Sequence, residues 1–246
     1  MSGHSKWSTI KHKKGALDAK RGRIFTRLIK EITIAARMGG GNADGNPRLR
    51  AAIQEAKSNN MPADNIKRAI QKGTGELPGQ VLEEKTYEGY GPGGAAILIQ
   101  TVTDNNNRTT SELRHLLSKH GGNLAEANAV AWMFERKGYI VVPKGAGSED
   151  RLLELILEAG GEDLRDGGEN YEIVTGPEAF EAVKKAVESS SLPISLAELS
   201  MISQNEVPLE GKKAQQMLSL MEALEDHEDV QKVFSNFDID ESEIQV

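Results

Sequence analysis

The sequence predicts an α+β protein of several domains: an N-terminal three-helix bundle followed by two ferredoxin-like α+β domains, the third inserted into the second. Apolar residues recur at helical spacing up to about residue 72, then alternate with polar ones in strand-sized runs. A strand-helix-strand-strand-helix-strand series follows between 139 and 203, and one helix and one strand remain at 211–225 and 230–238. Charge changes sign with the architecture. Residues 1–72 hold 16 Lys or Arg against five acids, a net of +11, whereas the remainder nets −18 and the whole chain −7. A length of 246 residues suits two or three domains. The boundaries that follow are 1–79, 80–134 with 207–246, and 135–206.

The first helix spans Leu17 to Met38. At 100° per residue, Ile24, Phe25, Leu28, Ile29, Ile32, Ala35 and Ala36 share an arc of about 140°. Lys20, Arg23, Arg27, Lys30 and Arg37 occupy an opposite arc of about 100°, so one face packs and the other is a basic stripe. GGGNADGN at 39–46 makes a turn. Asn46 reads as an N-cap with Pro47 at the first helical position, and Leu49, Ala52, Ile53 and Ala56 give the second helix its apolar face. NNMP at 59–62 breaks that helix. A third runs from Pro62 to Lys72 and is expected to end on Gly73.

GTGELPGQ at 73–80 links the bundle to strands at about 84–90 and 95–103, a helix at 109–120 and a strand at 129–134. Thr109 with Glu112 three residues on reads as a capping box, and Gly121 and Gly122 end the helix. Next come strand 139–143, helix 149–159, a short strand near 162–166, strand 170–175, helix 177–189 and strand 195–203. One helix and one strand at the C-terminus cannot cover each other's apolar faces, whereas the strand-helix-strand at 95–134 lacks such a pair. Residues 135–206 therefore read as an insertion.

Most chemistries are unsupported. Cysteine is absent, which excludes disulfides, thiolate nucleophiles and Cys-ligated metals and fits a reducing compartment. No run approaches the 20 or so apolar residues of a membrane span, so a soluble, cytoplasmic chain is expected. The N-terminus lacks the apolar core of a secretory signal. Gly89, Gly91 and Gly94 spell G-x-G-x-x-G, but an apolar β-type run follows where a dinucleotide site needs a helix. His115 and His120, five apart, cannot share a ligand from one helix face. EDHEDV at 225–230 reads as a solvated helix end, and FDIDESE lacks calcium-loop spacing. There is no G-x-S-x-G. The chain is expected to be no enzyme and to carry no cofactor and no metal.

The N-terminal signal points to nucleic acid. Lys6, Lys11, Lys13, Lys14, Lys20, Arg21, Arg23, Arg27 and Lys30 place nine cations in twenty-five residues, with Trp7 and His12 among them and Arg37 beyond. Cations pair with phosphates and release counterions, and an indole can stack on an unpaired base. The plainer alternative is a solvated stripe with Trp7 capping the bundle. Neither pattern separates DNA from RNA.

GHSKW at 3–7, IKHKK at 10–14, DAKRG at 18–22, NPRLR at 46–50, NMP at 60–62, YEGYGPGG at 87–94, NRT at 107–109, SKHGGNL at 118–124 and WMFERKG at 132–138 together resemble the YebC/PmpR family. That family also includes the mitochondrial translational activator of cytochrome c oxidase. NADG at 42–45 and AEANAV at 125–130 depart from its pattern, both in connections. The resemblance implies three cytoplasmic domains, the third inserted into the second, and a regulator of gene expression without catalytic residues. The leading expectation is a DNA-binding transcriptional regulator. The alternative is a ribosome-associated translation activator with the same cations on ribosomal RNA, and a third reading is an enzyme with an inter-domain cleft. The acidic domains would contact protein, and neither a membrane nor a small-molecule substrate is indicated.

Overall fold

A computed structural model of the chain describes residues 18–146 and 149–240. The chain divides into two compact units, one within Gly15–Ala129 and Gln216–Val233, the other within Val130–Gln215 and from Phe234 on.

The first unit begins with α1 (Asp18–Gly39), α2 (Pro47–Ser58) and α3 (Ala63–Thr74). Asn46 caps α2 as expected: its side-chain oxygen accepts from the Leu49 N–H at 3.1 Å, and Pro47 follows it. The same side chain donates through Nδ2 to Ala35 O at 2.8 Å and Gly40 O at 2.9 Å, so one buried amide also closes the α1–α2 turn. Leu28, Ile32, Ala35, Leu49, Ala52, Ala56, Met61 and Ile66 form the shared core. Each fully buried Leu or Ile is worth about 1.5–3 kcal/mol, far more than any surface ion pair of the bundle.

Two expectations are corrected here. Gly73 does not end α3, because the helix continues to Thr74 and Gly75 takes the left-handed position at φ 82°. Gly73 is instead where α3 touches α1: a Cβ there would strike the Thr33 carbonyl and lie 2.7 Å from Ala36 Cβ. Nor is α1 free on its second side, since Ile34 is buried with Leu82 and Val102. A helix flanked by core on two sides cannot present a wide solvated stripe.

The sheet of this unit has the order β3-β1-β2-β9, from β1 (Glu83–Tyr90), β2 (Ala96–Thr103), β3 (Asn123–Leu124) and β9 (Val230–Ser235). β1 and β2 pair antiparallel from Glu83↔Thr103 to Tyr90↔Ala96. Leu113 and Leu117 of α4 (Asn106–Lys119) are fully buried, as are Met217, Leu220, Met221 and Leu224 of α7 (Gly211–Glu225). Asn105, not Thr109, caps α4, accepting from the Arg108 N–H at 3.1 Å. Three consecutive asparagines at 105–107 hid which of them begins the helix. The G-x-G-x-x-G glycines serve packing. A Cβ at Gly89 would lie 2.7 Å from Asn123 O and one at Gly91 2.8 Å from Met217 Sδ, while Gly94 turns at φ 82°.

In the second unit β4 (Phe134–Pro143), α5 (Glu149–Glu158), β5 (Gly161–Gly167), β6 (Asn170–Thr175), α6 (Phe180–Ser189) and β7 (Leu196–Ser203) form the expected ferredoxin-like series. The order β7-β4-β6-β5 puts the last strand beside the first, then the third, then the second, all antiparallel. Ile140, Val142, Leu152, Ile156, Ile173, Val183 and Val187 make its core. The first unit repeats this neighbour order as β9-β2-β1-β3, with β1, which precedes the series in sequence, in third place. Two strands differ from the expectation. Residues 131–133 form a 3-10 turn, and the apolar run continues past it into the ten-residue β4. The stretch 230–238 breaks at Asn236, after which β10 (Phe237–Ile239) leaves β9 to pair in parallel with β8 (Val207–Leu209).

Replacing Asn46 by Ala should cost about 2 kcal/mol or more, from a lost cap and two lost bonds to backbone carbonyls, the one to Ala35 O buried. Asn46→Asp should not recover it, although Asp is an equally good cap on a simple helix, because its oxygens would face Ala35 O and Gly40 O. Urea midpoints of the three proteins read the difference, and recovery in Asp would refute the double role.

Candidate nucleic-acid interface

Of the cations singled out in the sequence, Lys6, Lys11, Lys13 and Lys14, with Trp7 and His12, lie outside the described residues, as do the side chains of Lys20 and Arg21. The other four, on α1, all have partners within their own unit. Arg23 Nη2 lies 3.3 Å from Asp226 Oδ1, and Arg27 Nη1 donates to Glu225 O at 3.2 Å. Lys30 Nζ donates to Glu228 O at 3.0 Å and to Asp229 Oδ1 at 2.5 Å. Arg37 Nη1 donates to Leu82 O at 2.6 Å.

The acidic run at 225–230 is therefore not a solvated helix end, as its composition suggested. The last carbonyls of α7 lack intrahelical partners and carry the negative end of the helix dipole, which is where cations are favoured. Arg23, Arg27 and Lys30 recur at intervals of four and three, which aligns them on the α1 surface that meets this helix end.

Asp229 anchors the contact. Its side chain is fully buried, with Oδ1 held by Lys30 and Oδ2 by Thr109 Oγ1 at 2.7 Å, Arg108 Nη2 at 2.9 Å and Thr103 Oγ1 at 3.2 Å. Burial alone would raise its pKa, but the hydrogen bonds from Lys30, Arg108 and Thr109 outweigh it and hold the carboxyl down at about 2. The bond to Asp229 likewise raises the Arg108 guanidinium above its ordinary value. The backbone N–H of Asp229 donates to His227 Nδ1 at 3.1 Å, and His227 Nε2 lies 2.9 Å from Glu112 Oε2. With Nδ1 accepting from the backbone, Nε2 is the ring nitrogen directed at the carboxylate.

Glu112, His227 and Asp229 place ligand-type atoms within 4.8 Å of one another. The donor set does not fit a metal. Nδ1 is already used, Nε2 faces Glu112, and Lys30 and Arg108 supply the positive charge that a divalent ion would bring.

Sequence reasoning passed over the cations of α2 and α3. Arg48 is consumed: it bonds both oxygens of Glu31 at 2.7 and 2.9 Å and reaches Glu84, which raises its pKa further. Arg50 donates to Ala43 O and Asp44 O at 3.1 and 3.2 Å. Lys57, Lys67, Arg68 and Lys72 are exposed, and among the described residues none is paired with a carboxylate. Their signal was the net charge of 1–72, which reaches well past residue 37.

Comparison with known proteins covers both units. The family described as "TACO1/YebC protein N-terminal domain" matches residues 5–76, and "TACO1/YebC second and third domain" matches 82–237. A "Probable transcriptional regulatory protein" of Acidobacterium capsulatum is 62% identical over 99% of this chain and 98% of its own length. A protein of the same name from Desulfosudis oleivorans is 57% identical over 98% of each. The crystal structure of a conserved hypothetical protein from Aquifex aeolicus, 49% identical, superposes with a TM-score of 0.82 over 96% of this chain and 98% of that one.

Asp229→Asn should destabilise the protein by about 2 kcal/mol at neutral pH, because it removes the charge that Lys30 and Arg108 share. A carboxyl depressed on folding contributes stability above its unfolded pKa and loses it as pH falls through the folded value. The gap between wild type and Asp229→Asn should therefore close between about pH 4 and pH 2. Urea midpoints across that range test this; a gap independent of pH would mean Asp229 acts by shape rather than charge.

Proposed function

Because the chain belongs to the TACO1/YebC family, we propose that it is a non-enzymatic, nucleic-acid-binding regulator of gene expression, acting in the cytoplasm as a DNA-binding transcriptional regulator. The supporting observation is the segregation of charge: a helical bundle within a +11 segment joined to domains that net −18. A polyanion is attracted to the first and repelled by the rest, which leaves the acidic domains for orientation and protein contact. The relatives named as transcriptional regulatory proteins match from end to end, so the reading concerns the whole chain.

Other observations weigh against an enzyme. The buried carboxylate of Asp229 is saturated by four donors. Glu172 is raised by its burial in β6. A shallow depression in the second unit collects Glu135, Lys137, Glu162 and Arg165, but Lys137 is bonded to Glu162 at 2.9 Å. Among the described residues no helix is long and apolar enough to cross a membrane.

The ribosomal alternative uses the same cations on ribosomal RNA. Two measurements separate the readings: fluorescence anisotropy on duplex DNA across a salt series, and co-sedimentation with ribosomes across the same series. A transcriptional regulator should bind DNA with log affinity falling about 0.9 per contacted phosphate against log salt, and should leave the ribosomal pellet at moderate salt. Retention on ribosomes with no DNA binding would replace this proposal with the translational one.

A further inference from the structure

Resting on that reading, we propose that α2, the turn at 59–62 and α3 form a helix-turn-helix whose second helix docks on duplex DNA through Lys67, Arg68 and Lys72.

The turn is rigid. α2 ends with Asn60 N–H on Lys57 O at 2.9 Å and Met61 N–H on Ala56 O at 2.9 Å, the paired closure of a Schellman cap. Asn60 takes its left-handed residue at φ 58°, which asparagine tolerates better than most side chains. Met61, next in line, is buried in the bundle core with Ala56. Pro62 then opens α3 at once, accepting from Asn65 N–H at 3.0 Å and Ile66 N–H at 3.3 Å. Four residues separate the helices, and the first helix of the pair, the turn and the second helix all pin inward through Ala56, Met61, Ile66 and Ala69. A turn of this length is the one that joins the two helices of a helix-turn-helix, the unit that places its second helix in a groove.

The outward face has the matching chemistry. At 100° per residue, Ile66, Ala69, Ile70 and Gly73 point to the core, and Lys67, Arg68, Gln71 and Lys72 fall in an arc of about 140° opposite. Asp64, in the first turn, falls in the same arc and is the only carboxylate of α3, so the face keeps a net positive charge. Lys57 adds a fourth exposed cation at the end of α2. A helix is about 10–12 Å across with its side chains, which a major groove about 12 Å wide admits, and twelve residues give this one about 18 Å of length. No aromatic residue occurs between 47 and 74, so this face offers no platform for unpaired bases. An A-form duplex presents a groove too narrow for a helix. Duplex DNA is the partner that remains.

The test uses the full chain and a labelled mixed-sequence DNA duplex, with a single strand and an RNA duplex of the same sequence beside it. Lys67→Gln/Arg68→Gln/Lys72→Gln should flatten the slope of log affinity against log salt by about 2.7, three contacts at about 0.9 each. The charge-keeping Lys67→Arg/Arg68→Lys/Lys72→Arg protein should retain the wild-type slope. These exposed substitutions should leave the melting temperature nearly unchanged; if the triple variant melts early, Lys72→Gln alone is read, for a change of about 0.9. An unchanged slope while the wild type still binds DNA overturns the docking face alone. Equal affinity for the RNA duplex or the single strand does the same. A wild type that binds none of the three overturns both this inference and the broader reading.

Discussion

Asp229 closes the first unit. Its two carboxylate oxygens gather Lys30 from α1, Thr103 from β2 and Arg108 and Thr109 from α4, and its backbone N–H holds the ring of His227. A buried anion is costly unless its oxygens are satisfied, and here four donors converge on it. The consequence is geometric. Helix α1, the second strand of the sheet and the helix behind it must all present a donor to one point, which sets where the bundle sits on its sheet. The cations of α1 that reach the end of α7 extend this contact along the helix; the pairs exposed to water add little energy and define its direction.

Local signals are legible in the sequence and distant ones are not. Asn46-Pro47 announced both a cap and a first helical position, and α7 was bounded as found, because caps and apolar periodicity are written within a few residues. The ferredoxin-like unit followed from element order alone. The acidic turn was misjudged because a run such as EDHEDV carries the composition of a solvated end, and nothing nearby reports cations arriving from residues 23–30. Half of the candidate site was visible as charge. Which cations are already spent depends on a contact that joins positions 199 apart.

Glycine makes the same point from the other side. Gly89, Gly91 and Gly94 match a nucleotide-binding pattern letter for letter, yet each has a local reason: an adjacent carbonyl, a methionine sulfur and a left-handed turn. Gly73, which looked like punctuation, is a point of close helix contact. The residue type signals that space or backbone freedom is needed, and only the surroundings tell which.

The placement of α7 and β9 after the second unit has a consequence in time. The chain is made from its N-terminus, and Lys30 emerges 199 residues before Asp229. At about 5–20 residues per second, the basic face of α1 waits roughly 10–40 s for its acid, while an entire ferredoxin-like unit is synthesised and can fold. During that interval the α1 cations Arg23 and Lys30 lack the carboxylates they pair with in the finished fold, and they stand beside the ribosome that makes the chain until residues 226–229 arrive.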